Sequence, residues 1–427
     1  MPTGLYSTAV RYLYGPLYPL LVSGMDPWLL ITIVLGFAMA WAIGANDAAN
    51  SMSTAVGAKA ITPKQAVIIA GVLEFAGAYF FGKSVTETIR KGILDPTMIT
   101  DPNVLVYGSV AALLAATLWL IIATKFGMPV STTHSIIGGI AGYGIVYAGT
   151  AIVNWDKMGQ VVLSWILSPI IGAIMAYLIF KAFTKSIFER KDPVRSARIW
   201  SPFWIGLAFV VIGTMFYIKV LHGSDLKTGV LMYGVPLGII VFAVTYLLIK
   251  LHFPSSDPFI GVEAIFRKAQ VVTSGYVALA HGANDVANAI GPVAAVYAVA
   301  TMGLGGMQVP VPRWILALGG LGIAVGVATY GYRVMETVGK KITELTNTRG
   351  FTIDFSAATV VLVASWLGLP VSTTHVVVGA VMGIGLARGV KAINKDIVRD
   401  IIISWFVTVP VAGLISAAIF KILMFAG

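Results

Sequence analysis

The chain has 427 residues, of which 58% are hydrophobic and only 11% charged, with a mean hydropathy of +0.88. A soluble domain carries about 25% charged residues, so composition excludes an ordinary soluble fold and indicates an all-α integral membrane protein. The net charge of +11 sits in short loops between apolar runs, the pattern of topology signals and not of nucleic-acid binding, and with no cysteine neither disulfides nor thiolate metal sites are available.

Residues 1–26 are tyrosine-rich, with Arg11 as the one basic residue, and lack a basic n-region and a small-residue cleavage site. They read as an uncleaved interfacial lead-in and not as a signal peptide. Apolar runs able to span or enter a bilayer then fall at 27–45, 65–82, 104–124, 129–149 and 159–183, at 202–221 and 229–251, and at 270–299, 313–333, 354–368, 371–387 and 398–425. The grouping is five, two and five. The expected organisation is therefore a lead-in (1–26), a first repeat (27–184), a linker with two transmembrane helices (185–269) and a second repeat (270–427).

The two groups of five are copies. Asn46 recurs as Asn284, Ser131 as Ser372, Ser164-Trp165 as Ser404-Trp405, and Val85-Thr86-Glu87-Thr88 as Val334-Met335-Glu336-Thr337. Seven segments separate the start of one copy from the start of the other, so the copies enter the membrane from opposite sides and the repeat is inverted. Twenty of the 29 basic residues fall in alternate loops, which places those loops in the cytoplasm and both termini outside.

Two motifs occur once in each copy. The first is Gly44-Ala45-Asn46-Asp47-Ala48-Ala49-Asn50, repeated as Gly282-Ala283-Asn284-Asp285-Val286-Ala287-Asn288. An ionisable residue inside an apolar run marks a functional site by default, because the bilayer penalises it. The glycines are expected to break the helix and free backbone carbonyls, and with the Asn and Asp oxygens these would suit Na⁺. An Asp can equally carry a coupling proton, or accept a hydrogen bond from a protonated phosphate oxygen. The second motif is Pro129-Val130-Ser131-Thr132-Thr133-His134, repeated as Pro370-Val371-Ser372-Thr373-Thr374-His375. Proline followed by Ser and Thr is the composition of a helix N-terminus, whose unpaired N–H groups and dipole favour an anion without any Lys or Arg. Two such termini and two carboxylate sites converging at membrane depth describe a site for an oxyanion and a cation together.

At these residues the sequence resembles the inorganic phosphate transporter (PiT) family, which carries phosphate with Na⁺ or H⁺. The resemblance covers nearly the whole chain beyond the lead-in. It implies an inverted-repeat transporter in the cell membrane, a homodimer, with phosphate contacts from Ser131, Thr132, Thr133, Ser372, Thr373 and Thr374, shared with Asp47 and Asp285. It implies cation contacts from Asn46, Asp47, Asn50, Asn284, Asp285 and Asn288, with Na⁺ held chiefly at Asn46, Asp47, Asn284 and Asp285. Glu74 and Asp354 resemble acidic positions of that family, Glu74 as a further cation ligand, whereas the 185–200 linker is short where animal relatives carry a long insertion.

The expected function is secondary symport of inorganic phosphate with Na⁺, with H⁺ as the alternative ion and sulfate as the alternative anion. A carboxylate pair favours phosphate over sulfate, because only phosphate donates hydrogen bonds at neutral pH. No resident cofactor is expected. An enzyme is disfavoured because no His/Asp/Glu grouping has metal-cluster spacing, and an ATP-driven pump because no G-x-x-x-x-G-K-[ST] run is present. His134 and His375 read as residues that bond a nearby carbonyl after the cap, with a direct part in transport as the alternative, Trp165 and Trp405 as packing or interface residues, and Gly138, Gly139, Gly142, Gly379 and Gly383 as close helix contacts.

Overall fold

A computed structural model describes residues 26–125, 130–252, 258–332, 335, 346–389 and 395–426. All of the lead-in but Asp26, together with Pro129 and most of the 334–337 stretch, lies outside these residues. The described chain is helical, with one isolated bridge between Leu94 and Val153. Its helices are α1 (Pro27–Gly57), α2 (Pro63–Phe81), α3 (Lys83–Lys91), α4 (Pro102–Lys125), α5 (Thr132–Ala148), α6 (Trp155–Phe183) and α7 (Pro193–Lys219). They continue as α8 (Val235–His252), α9 (Pro258–Met302), α10 (Arg313–Gly326), α11 (Asn347–Trp366), α12 (Thr373–Arg388) and α13 (Lys395–Ala426). Nine helical stretches among the described residues are long and apolar enough to cross a membrane. At 17 and 16 residues, α5 and α12 are shorter than the roughly 20 residues a crossing needs.

Local chemistry sets the helix starts. Asp26, Thr62, Asn154 and Asp192 each cap a helix with a side-chain oxygen, and Pro27, Pro63 and Pro193 follow at the first helical position. Thr62 and Gln65 form a reciprocal capping box.

The structure corrects one expectation directly. The helix is not broken at Gly44 or Gly282: α1 runs unbroken through 44–50 to Gly57, and α9 runs unbroken from Pro258 to Met302. The glycines serve close approach instead. A Cβ on Gly44 would lie 2.0 Å from the Ile323 carbonyl oxygen of α10, and one on Gly282 would lie 2.0 Å from the Glu74 carbonyl oxygen of α2. The contact is reciprocal, because Gly326 meets the Trp41 carbonyl and Gly77 the Leu279 carbonyl equally closely. With carbonyls engaged in the helix, side chains are left as the ligands of these motifs.

Each crossing joins a helix of the first half to one of the second. The same holds for α5 with α13, where Gly142 abuts the Gly413 backbone, and for α12 with α6, where Gly379 and Gly383 abut Pro169 and Ala173. Small residues let backbones touch, the usual route to helix association in lipid. A further clasp comes from α3: Arg90 donates to the carbonyls of Met307 and Val309, while Glu87 accepts from the Val311 N–H and pairs with Arg90 at 2.7 Å.

Gly44→Ala should therefore lower the thermal midpoint of the detergent-purified protein, at an overpacking cost of about 1–3 kcal/mol. Gly159→Ala, in α6 with no heavy atom within 4 Å of the added carbon, is the control and should not lower it. A Gly44→Ala midpoint equal to wild type would contradict the close-approach account.

Candidate functional site

Four helices bring the two motif pairs together. Ser131 and Ser372 stand at the N-caps of α5 and α12, each side-chain oxygen accepting from the N–H three residues on, at 3.3 Å from His134 and 3.4 Å from His375. The expected helix N-termini are thus present, and they are buried: Ser131, Thr132, Thr133, Ser372 and Thr373 are all at most 4% exposed, while Thr374 is half-buried.

The Asn and Asp side chains meet these hydroxyls in matching pairs. Asn50 Nδ2 donates to Thr374 Oγ1 at 2.7 Å, and Asn288 Nδ2 donates to Thr133 Oγ1 at 3.1 Å and to Thr132 Oγ1 at 3.3 Å. Thr373 Oγ1 donates to Asp285 Oδ2 at 3.0 Å, and Thr132 lies near Asp47 in the corresponding place. Each Asp stands at the threonine of its own half and each Asn reaches a threonine of the other half. These bonds link α1, α12, α9 and α5 in a ring around one site, in which hydroxyls accept from amides and the Thr373 hydroxyl donates to a carboxylate.

The remaining expected residues occupy distinct places. Asn284 is committed to the turn before α12, donating to Ser365 Oγ and the Leu369 carbonyl and accepting from the Val371 N–H at 3.2 Å. It positions that turn. Asn46 is half-buried, its amide 3.4 Å from Asp47 Oδ1. Glu74 is fully buried; it accepts from Ser51 Oγ at 3.0 Å and lies 3.3 Å from His281 Nδ1. Asp354 sits apart from the ring, accepting from Thr54 Oγ1 at 2.8 Å and from Ser274 Oγ, so that it joins α11 to α1 and α9. His134 packs against Trp165 with ring centroids 3.8 Å apart and the rings tilted by 36°, and meets His375 edge-on at 5.2 Å. Trp165 is more than packing, since its Nε1 donates to the Pro370 carbonyl at 2.8 Å. The Trp405 side chain is outside the described set.

Sequence reasoning missed His281. It is fully buried, with Nε2 3.1 Å from Asp285 Oδ2, and Asp47, His281 and Asp285 offer ligand atoms within 4.8 Å of one another. The expectation that no His/Asp/Glu grouping has metal-cluster spacing is true along the sequence and is corrected in space: residues more than 230 positions apart are joined by the packing of α1 against α9, which no linear spacing displays. The one signal was local, a histidine before Gly282 where the first copy has Ile43 before Gly44.

Comparison with known proteins bears on what this ring handles. The model of the phosphate transporter family matches residues 43–416, which include all four motifs. The chain belongs to that family. It is a transporter and not an enzyme, and phosphate is its class of cargo. A Thermococcus kodakarensis protein that carries the provisional name phosphate permease is 86% identical over 403 residues, covering 94% of this chain and 99% of that one. A chloroplastic inorganic phosphate transporter of Arabidopsis thaliana is 41% identical over 412 residues, covering 90% of this chain and 70% of that one. A solved structure described as the sodium-dependent phosphate transporter is 48% identical, superposes with a TM-score of 0.90, and covers 94% of this chain and all of its own.

Asn288→Ala removes the amide that holds Thr132 and Thr133, and each such bond contributes about 0.5–1.5 kcal/mol. Phosphate affinity at saturating cation should fall about tenfold, the ratio that 1.4 kcal/mol gives. A calorimetric titration of the purified variant checks this, and an unchanged dissociation constant would remove Asn288 from the site.

Proposed function

We propose that the protein is a secondary active symporter that imports inorganic phosphate together with Na⁺ by alternating access. The observation that carries this reading is the ring of motif side chains, in which a hydroxyl suited to an oxyanion, Thr373, is tied up by a carboxylate suited to a cation, Asp285. The Thr373 hydroxyl donates to Asp285, and Thr132 stands near Asp47 in the other half. A cation on each Asp cancels its charge and weakens its hold on the hydroxyl. The hydroxyl is then free to rotate and donate to phosphate, beside the first N–H groups of α5 and α12. Cation binding thus prepares the anion site, and the two cargoes bind cooperatively through shared atoms.

Na⁺ is favoured over H⁺ by the amide-rich surroundings of the two carboxylates and by the sodium dependence named for the solved relative. Phosphate is favoured over sulfate because each Asp can accept a hydrogen bond from a protonated phosphate oxygen. Phosphate is held by Ser131, Thr132, Thr133, Ser372, Thr373 and Thr374 with Asp47 and Asp285. Na⁺ is held by Asn46, Asp47, Asn50, Asp285 and Asn288, with Asn284 shaping the second site from behind. Exposure is uneven across the ring: Asn46, Asn50 and Thr374 are half-buried, whereas Asn284, Asn288 and Thr133 are fully buried. One-sided access of this kind suits one state of an alternating cycle, and the two halves, read as inverted repeats in a cell-membrane homodimer with outward termini, would exchange these roles in the other.

Labelled-phosphate uptake into proteoliposomes tests the reading. An inward Na⁺ gradient at uniform pH should drive uptake that excess sulfate leaves unchanged, and Asp47→Asn or Asp285→Asn should abolish it without loss of folded protein. Uptake driven only by a pH gradient would assign the carboxylates to protons. Sulfate competition would assign the site to another anion, and normal Na⁺-driven uptake by either variant would overturn the shared site.

A further inference from the structure

The turn between α11 and α12 is held by side chains at almost every carbonyl. Trp366 accepts from Lys219 Nζ at 3.1 Å, Gly368 from Thr88 Oγ1 at 2.7 Å, and Leu369 from Asn284 Nδ2 at 3.2 Å. Pro370 accepts from Trp165 Nε1 at 2.8 Å and Val371 from Thr133 Oγ1 at 3.1 Å. These donors come from five different helices, α7, α3, α9, α6 and α5. Gly368 makes the bend itself with a φ of +67°, and a Cβ there would stand 3.3 Å from both the Ser84 carbonyl oxygen and Thr88 Oγ1. The N-cap Ser372 follows directly, so the turn decides where the first N–H groups of α12 point.

Asn284, Trp165 and Thr133 belong to elements already placed at the site. Lys219 and Thr88 do not, and neither bonds a residue of the ring. Lys219 is the last residue of α7, in the linker between the two halves. A lysine at the end of a membrane helix ordinarily runs its ammonium out to water. Here it is half-buried and turned inward, donating to Ser84 Oγ at 2.6 Å and to the Trp366 carbonyl, and among the described residues no carboxylate pairs with it. An ammonium on the last carbonyl of a helix complements the negative end of its dipole, here that of α11. Ser84 joins the two outer holds, because its hydroxyl accepts from Lys219 and its carbonyl accepts from Thr88 at 3.3 Å. The linker and α3 therefore grip the turn as one unit.

We propose that Lys219 and Thr88 are positioning residues for phosphate, which act from outside the site by fixing the bend from Trp366 to Gly368 and, through it, the aim of the α12 N-terminus. An anion site built from backbone N–H groups depends on their direction, since no flexible basic side chain is present to follow the ligand. The cation ligands Asp47, Asn50, Asp285 and Asn288 stand on α1 and α9, which do not hang from this turn. The linker thus gains a part in anion binding but not in cation binding. This inference rests on the phosphate reading above and deepens it.

The test is calorimetric titration of the purified full-length protein with inorganic phosphate at saturating Na⁺, beside titration with Na⁺ alone. Lys219→Met keeps the apolar stem and removes the donor, and it should raise the phosphate dissociation constant about tenfold while Na⁺ binding stays close to wild type. Lys219→Arg, which keeps a charged donor, should return the phosphate value towards wild type. Thr88→Val breaks the neighbouring hold at Gly368 and should weaken phosphate binding in the same selective way. A merely structural lysine would lower the thermal midpoint and leave the phosphate constant of the folded protein unchanged. That result, or an equal loss of phosphate and Na⁺ affinity, overturns the proposal. If neither Lys219→Met nor Thr88→Val is recovered folded, the two side chains serve stability alone and the proposal fails. Wild-type protein that binds no phosphate would overturn the symport reading itself, whereas wild-type binding with unaltered variants overturns only this inference.

Discussion

Everything in this molecule converges on a shared hydroxyl. Thr373 donates to Asp285 next to Thr374, which accepts from Asn50, while Thr132 accepts from Asn288 close to Asp47. A hydroxyl has one proton to give, so it serves either the carboxylate or an arriving oxyanion. That single constraint ties anion affinity to cation occupancy and needs no moving part beyond a rotating O–H. The ring also explains the architecture around it. Its four helices must approach closely from both halves, and the glycine crossings at Gly44, Gly282, Gly142 and Gly379 are the packing that allows this.

The anion side of the site carries no Lys or Arg. Helix N-termini and hydroxyls bind through dipoles and neutral donors, whose attraction is moderate and falls away once the companion cation leaves. A fixed basic side chain at the same depth would hold phosphate in both halves of the cycle and would demand its own counter-charge in a low-dielectric interior. The basic residues that the site omits lie instead in loops and clasps such as Arg90, which spans the two halves well away from the ring.

Much of this was legible in the sequence. The helices fall on the apolar runs to within a few residues, except that α1, α7, α9 and α11 extend well beyond them and α3 falls on none, and the Ser-Thr-Thr-His part of the second motif opens two helices as expected because capping is local chemistry. The errors have a common physical origin. A glycine permits a break and a close approach equally well, and only the opposing backbone, here Ile323 and Glu74, decides between them. His281 went unnoticed for the same reason: its partners come from α2 and from the next turn of α9, and its meaning lies in a contact between halves. Asn284 kept its importance but changed its task, since its amide is occupied by the turn around Leu369 and Val371.

The most direct test of the shared-hydroxyl account is reciprocal binding on the purified protein. Phosphate affinity would be measured with Na⁺ and with choline at equal ionic strength, and Na⁺ affinity with and without phosphate. Shared atoms require that Na⁺ tighten phosphate by the same factor by which phosphate tightens Na⁺, a coupling of about 5–150-fold for linked sites. Phosphate binding that is indifferent to Na⁺ would contradict the account, because the hydroxyls would then be free without the cation.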